Sequence, residues 1–197
     1  RNTQGVTLIR VAGDEKLVSI ERIEEPSEEA LAAVLDENGE PRKGPAYTTD
    51  NAIQLLLAQN VPSKKIVVGT AMYGRGWEGV YPTGTTIDGN PMTATGTGPL
   101  KGSTAQGVWE DGVIDYKGIK TYMLGANEQG VNGFEAGYDE MAEAAYVWNR
   151  SSGKLITYDN RRSVLAKGAY VKQHNLGGLF AWEIDADNGD ILNAMHD

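Results

Sequence analysis

Gly177-Gly178-Leu179-Phe180-Ala181-Trp182-Glu183-Ile184-Asp185 is a short apolar run that ends by presenting an aromatic and a carboxylate. Its length and its opening glycines predict a buried parallel strand over residues 177–184. A second run, Lys65-Ile66-Val67-Val68-Gly69-Thr70-Ala71-Met72-Tyr73, has the same form and passes into Gly74-Arg75-Gly76-Trp77. In a barrel of alternating strands and helices, chemistry collects at the C-terminal ends of the strands. Both runs deliver an aromatic and a charged group to one rim. That pairing points to a carbohydrate site, because an aromatic face stacks on a pyranose while polar groups meet its hydroxyls.

A helical pattern precedes each run. Thr48-Thr49-Asp50 offers caps for a helix reaching Asn60, with Ile53, Leu56, Leu57 and Asn60 spaced to share one face. A second helix is predicted over 161–174, with Val164, Ala166, Ala169 and Tyr170 facing inward. Residues from about 74 to 159 lie between these units, and they are too many and too irregular for a simple strand-to-helix loop. They predict a small α+β lobe containing a helix over 114–124. A hairpin within it joins Ala145-Tyr146-Val147-Trp148-Asn149 to Leu155-Ile156-Thr157-Tyr158 through Ser151-Ser152-Gly153. Trp148, in an apolar strand, is assigned to packing.

Bulk properties narrow the function. The chain has 197 residues, 40% of them hydrophobic, and a formal net charge of −9. It therefore carries no basic footprint for nucleic acid or an anionic membrane, and a neutral polymer such as a polysaccharide suits it better. No cysteine is present, so disulfides, thiolate catalysis and cysteine-based zinc sites are excluded. His174 and His196 are too few and too far apart to propose a metal site. No apolar run approaches the roughly 20 residues of a membrane span. Arg1-Asn2-Thr3-Gln4 is not a signal peptide, and the missing initiator Met reads as an internal cut.

Four motifs carry a family resemblance: Ala71-Met72-Tyr73-Gly74-Arg75-Gly76-Trp77; Val108-Trp109-Glu110-Asp111-Gly112; Tyr158-Asp159 with Ser163; and Gly178-Leu179-Phe180-Ala181-Trp182-Glu183-Ile184-Asp185-Ala186-Asp187. In this order they resemble the C-terminal part of a bacterial chitinase of glycoside hydrolase family 18, from about residue 46 to 197. The resemblance implies an α/β fold: the last two strand units of a TIM (β/α)8 barrel, with the 74–159 lobe as the family's insertion domain and one wall of a tunnel-like cleft. A full barrel needs about 250 residues, so a partial one is expected here. The expected domains are 1–44 and 45–197.

The resemblance also assigns candidate substrate-binding residues. Trp182, at the end of its strand, matches the tryptophan that forms the floor of the sugar subsite where cleavage occurs. Tyr73 and Arg75 line the cleft, the guanidinium donating to a hydroxyl or an N-acetyl carbonyl. Trp109 and Glu110 meet the polymer from the lobe. Glu183 is expected on the opposite side from Trp182, as polar support, and Trp77 could equally pack the lobe. Asp185-Ala186-Asp187-Asn188-Gly189-Asp190 misses the calcium-loop pattern, its Gly falling one place early, and reads as a polar turn capping the next helix.

The implied partners are chitin or N-acetylglucosamine oligomers, with no metal or cofactor, and the parent enzyme is expected to be secreted. Family members retain configuration with help from the substrate's own N-acetyl oxygen, so one protein acid is indispensable. That acid sits in an Asp-x-x-Asp-x-Asp-x-Glu strand, and no such string occurs in the 197 residues. No catalytic residue is therefore assigned, and the chain alone is expected to be inactive. A non-catalytic, lectin-like chitin-binding module is the alternative.

Residues 1 to about 44 read differently. Val6-Thr7-Leu8-Ile9-Arg10-Val11 and Leu17-Val18-Ser19-Ile20-Glu21-Arg22-Ile23 flank a turn at Gly13-Asp14, predicting an antiparallel hairpin. Eight acidic residues then stand against one Arg between Glu21 and Glu40. Together with Arg1-Asn2-Thr3-Gln4-Gly5, this resembles the C-terminal end of the DNA-wrapping subunit of bacterial DNA gyrase. The chain then reads as a join near Gly44-Pro45, with an extra domain proper to the chitinase as one alternative and a gyrase-related DNA-topology fragment as the other. The missing basic groove opposes the last.

Overall fold

A computed structural model of the chain describes residues 48–81 and 89–197. The expected hairpin and acidic segment at 1–44 lie outside the described residues. Helix α1 (Thr49–Ala58) belongs to a unit that ends at Gln59, and residues 60–197 form the other. Within α1, the Thr48 hydroxyl accepts the Asn51 backbone N–H at 3.1 Å, as the capping pattern requires.

In the second unit, β1 (Val67–Ala71) and β8 (Gly178–Trp182) pair in parallel. The register runs from Val67 opposite Gly178 to Ala71 opposite Trp182. The two apolar runs are thus neighbours, as their reading anticipates, although both strands are shorter than 65–73 and 177–184. The strand expected to reach Tyr73 stops at Ala71. Met72 donates its N–H to the Trp182 carbonyl at 2.8 Å and accepts the Tyr116 N–H on its own carbonyl at 2.9 Å. With its backbone satisfied from both sides and its side chain wholly enclosed, the chain changes sheet without a loop.

Tyr73 therefore opens β2 (Tyr73–Glu78), which belongs to an antiparallel sheet ordered β3-β2-β7-β6-β5, with β4 also paired to β2. The partners are β3 (Gly98–Pro99), β4 (Val113–Asp115), β5 (Glu135–Asp139), β6 (Ala144–Asn149) and β7 (Lys154–Tyr158). The expected 145–158 hairpin is β6–β7, with Trp148 opposite Leu155. Helix α2 (Tyr116–Tyr122) is shorter than the predicted 114–124, since its first residues are spent on β4.

Alternation along β2 explains its Tyr-Gly-Arg-Gly-Trp text. Gly74 and Gly76 face the core: a Cβ on Gly74 would lie 2.6 Å from Ile156 Cγ2, and one on Gly76 2.7 Å from Leu100. Tyr73, Arg75 and Trp77 consequently share the other face.

Helix α3 (Arg161–Gln173) starts with a reciprocal cap, the Asn160 side chain accepting the Ser163 N–H while the Ser163 hydroxyl accepts the Asn160 N–H. Its enclosed face is set by Ser163 and Val164; Ala169, expected inward, is exposed. In the turn before α4 (Asp190–His196), Asp187 accepts the Ile191 and Leu192 N–H groups, the capping role foreseen for that turn. One core cluster joins Met72, Ile114, Tyr116, Ile119, Val147 and Ile156 to Val164 of α3 and Ile191 and Ala194 of α4. A smaller one holds Val80, Trp148 and Leu155, with the Trp148 indole donating to the Val80 carbonyl at 2.8 Å.

Candidate functional site

Three chain segments meet around a groove of about 450 Å³. The start of β2 supplies Tyr73 and Arg75; the 107–113 turn with β4 supplies Trp109, Glu110, Val113 and Asp115; the end of β8 and the turn beyond it supply Trp182, Glu183, Asp185 and Ala186. All five residues singled out in the sequence lie on this one surface. Their sources differ from the expectation in one respect: Tyr73 and Arg75 come from the lobe sheet, not from the end of a barrel strand.

Each wall is fixed by backbone pairing. Tyr73, Gly74 and Arg75 stand opposite Asp115, Ile114 and Val113. The turn carrying Trp109 is stitched to β2 by Gly76 N–H donating to Gly112 O at 3.0 Å, and to the residue after β3 by Gly112 N–H donating to Leu100 O at 2.9 Å. Trp182 is anchored by its pairing with Ala71 and by its carbonyl's bond from Met72. Below it, Asp159 accepts Ala71 N–H at 2.9 Å, the Ser163 hydroxyl at 2.7 Å and Lys167 Nζ at 2.5 Å. The Tyr158-Asp159 and Ser163 motif thus ties β1 to the β7–α3 connection; it is support, away from the groove lining.

The two indoles are the most open large apolar groups of the groove, with Trp109 71% and Trp182 64% exposed. Exposed ring faces of this size are costly against water and suit a partner that covers them with C–H surface. Arg75 is exposed, its guanidinium carbon 5.4 Å from the centre of the Tyr73 ring, a cation–π contact that leaves donors for a ligand. Trp77, 39% exposed on the same face of β2, is not part of the lining.

Glu183 is a correction. Strand alternation would turn it away from Trp182, but β8 ends at Trp182 and the chain enters a 3-10 turn, Ile184–Ala186, so the period of two no longer applies and Glu183 lines the groove. Sequence reasoning does not single out Asp115, and it reads Asp185 as part of a capping turn, whereas both line the groove. An acid at the start of a helix reads as a cap, yet the Asp115 side chain makes no capping bond; its Oδ2 accepts the Trp109 indole N–H at 3.2 Å. Behind β2, Tyr116 and Tyr158 have ring centres 6.2 Å apart, and burial above all holds both hydroxyls above the ordinary tyrosine range. No group of acids and histidines among the described residues is arranged to hold a metal ion.

Comparison with known proteins gives concordant matches. The sequence pattern of the family described as "Glycosyl hydrolases family 18" matches residues 26–187, so the boundary expected near Gly44-Pro45 falls inside the matched span. Chitinase A of Pseudoalteromonas piscicida is 64% identical over 171 residues, covering 87% of this chain and 21% of that protein. The solved chitinase of the Yersinia entomophaga toxin complex aligns with a TM-score of 0.62 at 29% identity, over 78% of this chain and 31% of that one. A chitinase from Cycas revoluta, solved with (GlcNAc)3, aligns with a TM-score of 0.58 at 25% identity, over 78% and 39% of the two chains. This chain spans about a fifth to a quarter of the length of the first curated relatives it matches.

Proposed function

The chain belongs to family 18 of the glycosyl hydrolases, and on that premise we propose that its groove is part of a chitin-binding cleft. The observation that carries the proposal is convergence: Tyr73, Arg75, Trp109, Glu110 and Trp182, chosen from separate motifs, line one groove with two open indole faces. In this reading the indoles stack on successive N-acetylglucosamine rings. Arg75 and Glu110 supply a donor and an acceptor for hydroxyl and N-acetyl groups. That the related Cycas revoluta chitinase is solved with (GlcNAc)3 supports the ligand class.

The proposed parent reaction is retaining hydrolysis of β-1,4-N-acetylglucosamine linkages, in which an acid protonates the glycosidic oxygen while the substrate's N-acetyl oxygen attacks the anomeric carbon. None of the groove residues is proposed as that acid, because the motif that bears it is not among the 197 residues. Binding that positions sugar without a proton donor does not lower the barrier. The same proposal takes β1 and β8 as the last two strands of a (β/α)8 barrel, supported by their parallel pairing and by the solved relatives. The gyrase-like reading of residues 1–44 has no part in it.

The test is titration of the chain with N-acetylglucosamine hexamer, alongside incubation with a chromogenic chitobioside. Binding that is insensitive to salt and lost in Trp182→Ala, with no product released, is the expected result. Failure of the hexamer to bind overturns the cleft assignment; turnover that depends on Tyr73 or Trp182 overturns the inactivity.

A further inference from the structure

Trp109 and Trp182 are exposed to a similar degree, but they are held differently. The Trp182 ring rides on a paired strand. Trp109 stands on a turn, and a residue 71% open to solvent there is free to swing unless something restrains it. The restraint is Asp115. Its side chain is nearly enclosed, at 11% exposure, and its Oδ2 takes the indole N–H at 3.2 Å. Its own backbone N–H donates to Gly107 O at 2.9 Å, closing the turn that carries Trp109. A hydrogen bond to a carboxylate is stronger than one to a neutral acceptor.

The same oxygen lies 3.5 Å from Lys117 Nζ, and that ammonium also donates to the Asp185 backbone carbonyl on the opposite wall. A chain of polar contacts therefore runs from the Trp109 indole through Asp115 and Lys117 to the turn just beyond Trp182.

We infer that Asp115 is a positioning residue that fixes the Trp109 ring as a sugar platform. The inference rests on the proposed sugar-binding role of the groove. Asp115 need not touch the sugar; it acts by sparing the indole the entropy of being ordered on binding.

The test is a double-mutant cycle on hexamer affinity. Asp115→Ala loses about tenfold, as does Trp109→Ala, the size of one stacking contact. Asp115→Asn, which keeps an oxygen acceptor, stays within about threefold of the parent. In a Trp109→Phe background, which has a ring but no indole N–H, Asp115→Ala costs nothing further. Asp115→Ser runs in parallel as a smaller polar replacement should the Ala variant not fold. An equal cost of Asp115→Ala in both backgrounds, or an Asp115→Asn variant as weak as the Ala one, overturns the inference.

A ligand-free measurement separates this from the cleft assignment. The Trp109 indole N–H resonance shifts and exchanges faster with solvent in Asp115→Ala. A resonance unmoved by that change overturns the positioning role even if the parent binds sugar. If the parent binds no hexamer, the cleft reading fails while the indole measurement still decides the role of Asp115.

Discussion

The antiparallel lobe sheet and the parallel β1–β8 pair are both written in apolar residues, yet only the lobe encloses what it buries. Val147, Ile156, Trp148 and Ile119 of the lobe have at most 1% of their surface open. In the strand pair, Val68 and Thr70 are enclosed, while Val67 is 50% and Phe180 48% exposed. Parallel strands normally have both faces covered, and a two-stranded sheet is marginal by itself. A strand's text thus states how much cover it needs, not whether the cover is supplied. The groove takes Tyr73, Arg75 and Trp109 from the closely covered region and Trp182 from the more open one.

The sharpest way to break this comparison is to cut into both regions. Trp148→Ala removes the largest enclosed side chain and its bond to Val80 O, so it costs about 3–5 kcal/mol. Phe180→Ser, at a half-open position, stays within about 0.5 kcal/mol. Denaturant unfolding of the two variants measures both. Similar costs would show that β1–β8 is as well covered as the lobe.

Asp159→Ala comes next, at about 2–3 kcal/mol, since it strands the Ala71 N–H, removes a partner of the Ser163 hydroxyl and leaves the Lys167 ammonium only the Gly69 carbonyl. Its damage is local to the strand pair. Hydrogen exchange should accelerate at Ala71 with the β6–β7 amides unchanged, whereas uniform acceleration would mean that the two regions unfold as one. Gly74→Ala acts on the lobe instead. The new methyl meets Ile156 and Ile119 within 3 Å, costing about 1–2 kcal/mol by overpacking. Unfolding that shows no loss would mean that the lobe core yields more than its packing implies.

The same contrast explains what the sequence made legible. The two strand runs, the β6–β7 hairpin and α3 could be read because period, length and turn residues agree in each. The sheet change at Met72 could not. Residues 65–77 carry no turn signal at that point, and the switch depends on bonds to Trp182 and Tyr116, over 40 residues away. Ala169 is exposed although its spacing predicts an inner position, since the enclosed face of α3 lies at Val164 and at Ser163, whose hydroxyl is bonded to Asp159. The five site residues are legible through motif resemblance. Asp115 and Glu183 escaped because their roles depend on where β4 and β8 end, the least legible feature of an element.

The smallest expected effect lies at the seam between the regions, where Lys120 and Tyr116 of α2 meet Asp190 of α4 at 3.2 and 3.1 Å. Burial works against ionisation of Asp190, but bonds from Lys120 and Tyr116 outweigh it and hold the carboxyl below its ordinary value. A depressed folded-state pKa means stability that is present in full above the unfolded value, about 3.9, and lost as pH falls through the folded one. The Asp190 side chain is 42% open to solvent, so its contribution stays under about 1 kcal/mol. The parent's advantage over Asp190→Asn should therefore be constant from pH 7 to 5 and shrink below about pH 4. Taking the difference between the two proteins cancels the other carboxylates titrating in that range. A gap that is flat down to pH 2 would show that the seam is held by packing of Ile191 and Ala194 alone, and that the two regions share a core but no charge.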